Sequence, residues 1–277
     1  MHKKKLVLVL RGGLGNQLFQ VTAGAHFARK FEAELVLDDS AIIRHKDKSR
    51  RSWLRKIAID RLFIDIRIDW QNLMISQLKA SHLGANRMTK KMIGENELKN
   101  LLSLSGHITV YDWFHSKDYL PLKKLHLNSD ELFNLREFVM DAAISKKNDE
   151  GSAAMHIRLG DFERTSWGVL PQRWYLNAAL TLANSGIITI DCFTDDIARA
   201  REIFDKIPKK IRLNFVEEKM ELMPHELLYL MSQYRYFVSS NSSISWWSSY
   251  LNQRENAEIF CAWGQSLLLP SWKLIRI

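Results

Sequence analysis

Five short apolar runs, at residues 153–159, 187–193, 212–216, 236–240 and 258–262, alternate with four stretches of helical spacing near 173–184, 197–206, 222–233 and 243–252. Strands and helices in strict alternation predict a parallel sheet wrapped by helices, an α/β architecture. Ligands of such sheets sit beyond the carboxyl ends of the strands. The polar residues that stand out lie at those ends: Arg158, Gly160 and Asp161 after the first run, Thr194 to Asp196 after the second, Glu217 and Glu218 after the third, and Ser239 to Ser243 after the fourth. They should converge on one crevice.

The amino-terminal half opens the same way. Leu6 to Leu10 predicts a buried strand, GGLG a turn, Asn16 to Phe31 a helix with Leu18, Phe19, Ala23, Phe27 and Phe31 on its apolar side, and Leu35 to Leu37 a second strand. The span 41–150 reads as helical and basic, apart from a strand at His107 to Tyr111 and a loop at Asp118 to Pro121. The boundary expected from this change of pattern gives domains 1–150 and 151–277. A chain of 277 residues, 46% of them hydrophobic, can fill two such cores. Its first apolar run, of five residues, is too short for a signal peptide, and no run approaches the roughly 20 apolar residues of a membrane span. Cys192 and Cys261 each lie in an apolar run and read as core residues of a reducing, cytoplasmic compartment.

A net charge of +9 suits acidic partners. The densest basic run, Arg44 to Lys56, holds seven Lys and Arg against one acid. It reads either as a solvated face or as a peripheral contact with the inner face of the membrane or a lipid-linked acceptor. No zinc-finger, RNA-binding or helix-turn-helix signature accompanies it, so nucleic acid is not the expected partner.

Four motifs carry the chemistry. GGLGNQ at 12–17 joins a strand to a helix, where backbone amides can hold a phosphate or a sugar hydroxyl. It is not the dinucleotide fingerprint, since Leu18 stands where a third glycine belongs, and no GK[ST] makes it a P-loop. MHIRLGDF at 155–162 puts His156 and Arg158 on one side of a strand, with the guanidinium suited to a phosphate and Asp161 to orienting it, the plain alternative being an Arg158–Asp161 ion pair. In FTDD at 193–196, Asp195 and Asp196 lack a third acid at metal-ligand spacing; one is expected to cap the next helix and the other to accept from a nucleotide. SSNSSISWW at 239–247 places Asn241, Ser242 and Ser243 at a strand-to-helix junction, a natural anion site.

Taken together these stretches resemble glycosyltransferase family 11, the α-1,2-fucosyltransferases: GGLGNQLFQ at 12–20, HIRLGDF at 156–162 for the family's HxRRGD(Y/F), TDD at 194–196, NSSISWW at 241–247, and more weakly WFHSKDY at 113–119 and PQRWYLNAA at 171–179. Leu159 departs from the family's second arginine, and His115 and Asp118 alter its acceptor-side segment. The resemblance implies a GT-B fold of two Rossmann-like domains, with the nucleotide-sugar site in the carboxyl-terminal half. It implies inverting transfer of L-fucose from GDP-β-L-fucose to the 2-hydroxyl of a terminal β-galactoside in surface-glycan (O-antigen) synthesis, without a metal or other cofactor. Asn16, Gln17, Arg158, Asp195, Asp196, Asn241, Ser242 and Ser243 are then the expected donor-binding residues, and His115 and Asp118 the acceptor-side ones. Arg158 would neutralise the departing diphosphate, while the base is open among Asp161, His156 and His115. Two other classes compete: a nicotinamide oxidoreductase, prompted by the early glycines and Asp38, and a nucleotide- or sugar-binding protein without turnover.

Overall fold

The computed structural model describes residues 4–43, 68–70, 87–89, 95–105, 107–120, 135–164, 166, 168–216, 220–252, 254–264 and 266–275. The chain divides into two compact units, Met1–Leu132 and Phe133–Ile277. The basic run 44–56, Pro121, Glu217 and Glu218 lie outside the described residues.

In the first unit, β1 (Lys5–Val9), α1 (Leu14–Lys30), β2 (Glu34–Asp38) and the short α2 (Ser40–Ile43) lead to β3 (Ile68–Trp70), β4 (Arg87–Thr89), α3 (Glu95–Ser105) and β5 (His107–Tyr111). The strands form one parallel sheet in the order β3-β2-β1-β5-β4. Leu6, Leu8, Leu35, Leu37, Ile108 and Val110 are buried within it, as a sheet covered on both faces requires. Sequence direction reverses between β1 and β5, and this switch point is where an open sheet leaves a crevice.

In the second unit, α4 (Glu137–Asn148) precedes β6 (Ala153–Ile157), α5 (Gln172–Asn184), β7 (Thr189–Thr194), α6 (Ile197–Ile203), β8 (Arg212–Phe215), α7 (Pro224–Met231), β9 (Tyr236–Ser239), α8 (Ser243–Leu251), β10 (Glu258–Cys261) and the edge strand β11 (Lys273–Leu274). The parallel order is β11-β10-β9-β6-β7-β8, with the switch point between β6 and β9. Trp174, Tyr175, Ala178 and Leu182 of α5 pack onto Met155, Ile157 and Cys192 of the sheet. The expected boundary at 150 moves to 132/133 because α4 packs against α7 in the second unit, and two polar ties fasten it there. Lys146 Nζ meets Asp191 Oδ2 at 2.7 Å, and the Lys146 carbonyl accepts from Arg254 Nη1 at 2.9 Å. No helix among the described residues is long and apolar enough to cross a membrane.

Candidate active site

In the second unit Arg158 and Asp195 each follow the last residue of neighbouring strands. The β6/β7 register pairs Ile157 with Thr194, which brings the next residues side by side beyond the sheet. Arg158 Nη1 lies 3.1 Å from Asp195 Oδ2, and Asp195 Oδ1 accepts from the Leu159 amide at 2.9 Å. A Cβ on Gly160 would stand 2.4 Å from Asp195 Oδ2, so glycine is what lets the carboxylate sit there. Asp195 is thus a partner of Arg158 among the described residues, one that the sequence did not suggest; the Arg158–Asp161 pair that it did suggest lies outside them. Asp161 begins the 3-10 helix Asp161–Arg164, and its side chain is outside the described set. Of the two adjacent aspartates, Asp196 is the cap, accepting from the Arg199 amide at 3.1 Å. Asp195 is turned to the arginine and the strand end. Leu159, where the family pattern has arginine, is fully buried in the core.

His156, expected on one side of the strand with Arg158, is buried. Both faces of β6 are covered, leaving His156 3% exposed, and its Nδ1 lies 3.1 Å from Ser240 Oγ, tying the ends of β6 and β9. Burial, seconded by the Arg158 charge, lowers its pKa to about 3. This geometry suits a brace more than a proton carrier. Above pH ~6.5 the ring is neutral in folded and unfolded chains alike; between there and about 3 only the unfolded chain takes the proton. Stability should therefore fall on acidification by up to about 1.4 kcal/mol per pH unit from this residue. Urea denaturation between pH 7 and 5 should show a shallower loss for His156→Asn than for the native protein; parallel slopes would refute it.

Beyond β9, Asn241 Nδ2 donates to the Gly168 carbonyl at 2.9 Å, tying this loop to the segment that follows Arg158. Ser242 is the N-cap residue of α8, yet its side chain makes no capping hydrogen bond. With Ser243 it stands at the opening of the helix, where the first-turn amides point outward. Arg158 and this helix start flank the β6/β9 switch point of one sheet.

In the first unit the two glutamines of GGLGNQLFQ hold the turn itself. Gln17 Nε2 donates to the Gly12 carbonyl at 2.8 Å, and Gln20 grips Arg11 by both its amide, at 3.0 Å, and its carbonyl, at 3.3 Å. Both glutamines are fully buried, so Gln17, expected to bind donor, is spent on the backbone. Gly12 has φ +75°, and a Cβ there would meet Asn16 Nδ2 at 2.6 Å and Trp113 at 2.9 Å. Asn16 is half-exposed, its Oδ1 3.0 Å from His115 Nε2. Since the amide oxygen can only accept, Nε2 carries the proton. Burial, opposed by Asp112, lowers the His115 pKa to about 4, so the ring is neutral at neutral pH. Asp118 lies on the surface with its carboxylate accepting from Ser116 Oγ at 2.9 Å.

The sequence profile of glycosyl transferase family 11 matches residues 8–263. The chain belongs to that family. It is similar to the O-antigen biosynthesis glycosyltransferase WbnK of Escherichia coli, at 27% identity over 89% of this chain and 90% of that protein. It also resembles an alpha-1,2-colitosyltransferase of Escherichia coli, at 23% identity over 89% and 87%. Among solved structures, POFUT1 in complex with GDP shares 13% identity over 99% of both chains with a TM-score of 0.60. The Escherichia coli ADP-heptose lps heptosyltransferase II shares 11% over 99% of this chain and 90% of that one, with a TM-score of 0.51. At such identities these speak for the fold, which is of GT-B type.

As a family 11 glycosyltransferase the chain has no use for the nicotinamide reading, and the carboxylate that prompted it, Asp38, is 8% exposed and accepts from the Ser40 amide at 2.9 Å. Sequence reasoning passed over Arg11, Tyr111 and the role of Gln20. Strand order would have found the first two: only when β1 and β5 are neighbours do Arg11 and Tyr111 meet.

Proposed function

We propose that this glycosyltransferase moves L-fucose from GDP-fucose, with inversion, to the 2-hydroxyl of a terminal β-galactoside during bacterial O-antigen assembly. The observation that carries the reading is the guanidinium of Arg158, aimed by Asp195 beside the uncapped start of α8 at the switch point of the second sheet. Fucosyl transfer places positive charge on the sugar and negative charge on the departing diphosphate. Arg158 and the amides of the α8 start are the groups that would receive the latter. Family membership, the WbnK relative and the existence of POFUT1 structures with GDP and GDP-fucose support the donor class. On the acceptor side, Asn16 and neutral His115 would orient the attacking hydroxyl, and a strongly dissociative transfer asks little of a base. The colitosyltransferase relative favours a second reading, in which the sugar moved is colitose.

Incubation with GDP-fucose or GDP-colitose and a panel of galactosides, with the product linkage read by NMR, tests this. Fucose in α-1,2 linkage is expected; preferential transfer of colitose would select the second reading. No metal enters the proposed mechanism, because Asp195 and Asp196 are committed to Arg158, Leu159 and a helix cap. GDP should raise the melting temperature equally with and without EDTA, by a stabilisation of about 2.7 kcal/mol at 100 times its dissociation constant. Loss of the shift in EDTA would overturn the metal-free mechanism.

A further inference from the structure

At the switch point of the first sheet a cation is held in place with no carboxylate partner among the described residues. Arg11 follows β1, and its guanidinium carbon lies 4.2 Å from the ring centroid of Tyr111 and 3.9 Å from that of Trp113, two residues on the same side of the β5 end. Trp113 in turn stacks on His115, with centroids 6.0 Å apart. The Arg11 backbone is gripped at both polar atoms by Gln20, so the side chain springs from a fixed root. Arg11, Tyr111 and Trp113 are all partly exposed. Among the described residues no carboxylate reaches the guanidinium, which packs on the two rings. Rings cover the flat face of a guanidinium and leave the N–H bonds along its edge, which are spaced for two oxygens of one oxyanion.

We propose that Arg11 is an anion-recognition residue of the acceptor site, receiving a carboxylate or phosphate oxyanion carried by the acceptor. The inference rests on the acceptor-side reading of the first unit, since Asn16 and His115 lie beside the same rings. Two sources share this chemistry: an acidic sugar next to the galactose, or the diphosphate of a carrier lipid. A rigidly aimed guanidinium makes the charge a condition of good transfer, so a neutral galactoside should be a poor acceptor.

The test compares three galactosides matched in aglycone size: one neutral, one with an adjoining uronate, one bearing a diphosphate. The native enzyme should favour one of the charged compounds by roughly 10-fold to 100-fold in kcat/KM, the range expected for a charged hydrogen bond. The preferred compound names the source. The preference should shrink in 0.5 M salt, fall towards one in Arg11→Gln, and recover only partly in Arg11→Lys, which keeps the charge but loses the planar stack. Melting temperatures show that each variant is folded, and the salt series decides the matter on native protein should both fail. The three compounds are also titrated calorimetrically without donor. If no galactoside is fucosylated, the acceptor reading falls while the binding preference still decides the role of Arg11. Equal affinity for charged and neutral compounds would overturn the inference, as would an Arg11→Gln variant whose main defect is weaker GDP binding.

Discussion

Arg158→Ala should lower kcat by roughly 10²–10³, about 3–4 kcal/mol of transition-state stabilisation, while raising the donor KM much less. The asymmetry follows from when the charge appears: the diphosphate gains its extra negative charge as the glycosidic bond breaks, so a group that receives it acts mostly in the transition state. Arg158→Lys should recover little, because an ammonium cannot reproduce the planar fork that Asp195 now holds at 3.1 Å. A purely structural ion pair forecasts the opposite result. Removing the arginine would strand a carboxylate between β6 and β7, lower the melting temperature, and leave the folded fraction turning over normally. Both quantities measured on one purified sample decide between them, and near-native kcat in a well-folded Arg158→Ala protein would end the proposed role.

The largest loss of stability is expected from the far end of the NSSISWW motif. Trp246 is fully buried; its indole N–H donates to the Leu267 carbonyl at 2.8 Å, and its ring meets those of Trp247, Tyr250 and Trp272 at centroid distances of 5.2, 5.2 and 5.5 Å. Trp246→Ala removes a large aromatic from a packed cluster and strands a carbonyl, which should cost about 3–5 kcal/mol. Against total stabilities of about 5–15 kcal/mol this is a large share of what holds a domain together. Trp246→Phe keeps most of the ring volume and should cost much less. Urea midpoints for the two variants check this, and a loss under about 1 kcal/mol for alanine would show that the cluster repacks around the hole.

That motif also shows what kind of information the sequence holds. Its polar start and aromatic end were separable by helical spacing: the structure puts the tryptophans in the core and Ser242 and Ser243 at the start of the helix, although Ser245 is buried within it. The alternation after Gly151 was legible because parallel strands are apolar throughout, and each expected strand and helix is present, with ends shifted by up to three residues. Strand order was not legible, and the details of the site depend on it. Asp195 is brought to Arg158 by the β6/β7 register, which no local pattern reports. The alternating pattern did not foretell that His156 is buried, because alternation marks a sheet with one wet face, whereas β6 is covered on both. The helix Glu137–Asn148 was placed with the wrong unit because its attachment is made by Lys146 and Arg254 to groups distant in sequence.

The carboxylate beside Arg158 bears on the end of the catalytic cycle as well as on its chemical step. A bare guanidinium at a helix start would hold a spent nucleotide tightly and slow every subsequent turnover. If Arg158 receives the diphosphate as proposed, Asp195 already shares its charge and would weaken its grip on the spent nucleotide, so the brace that aims the side chain would also ease the departure of product.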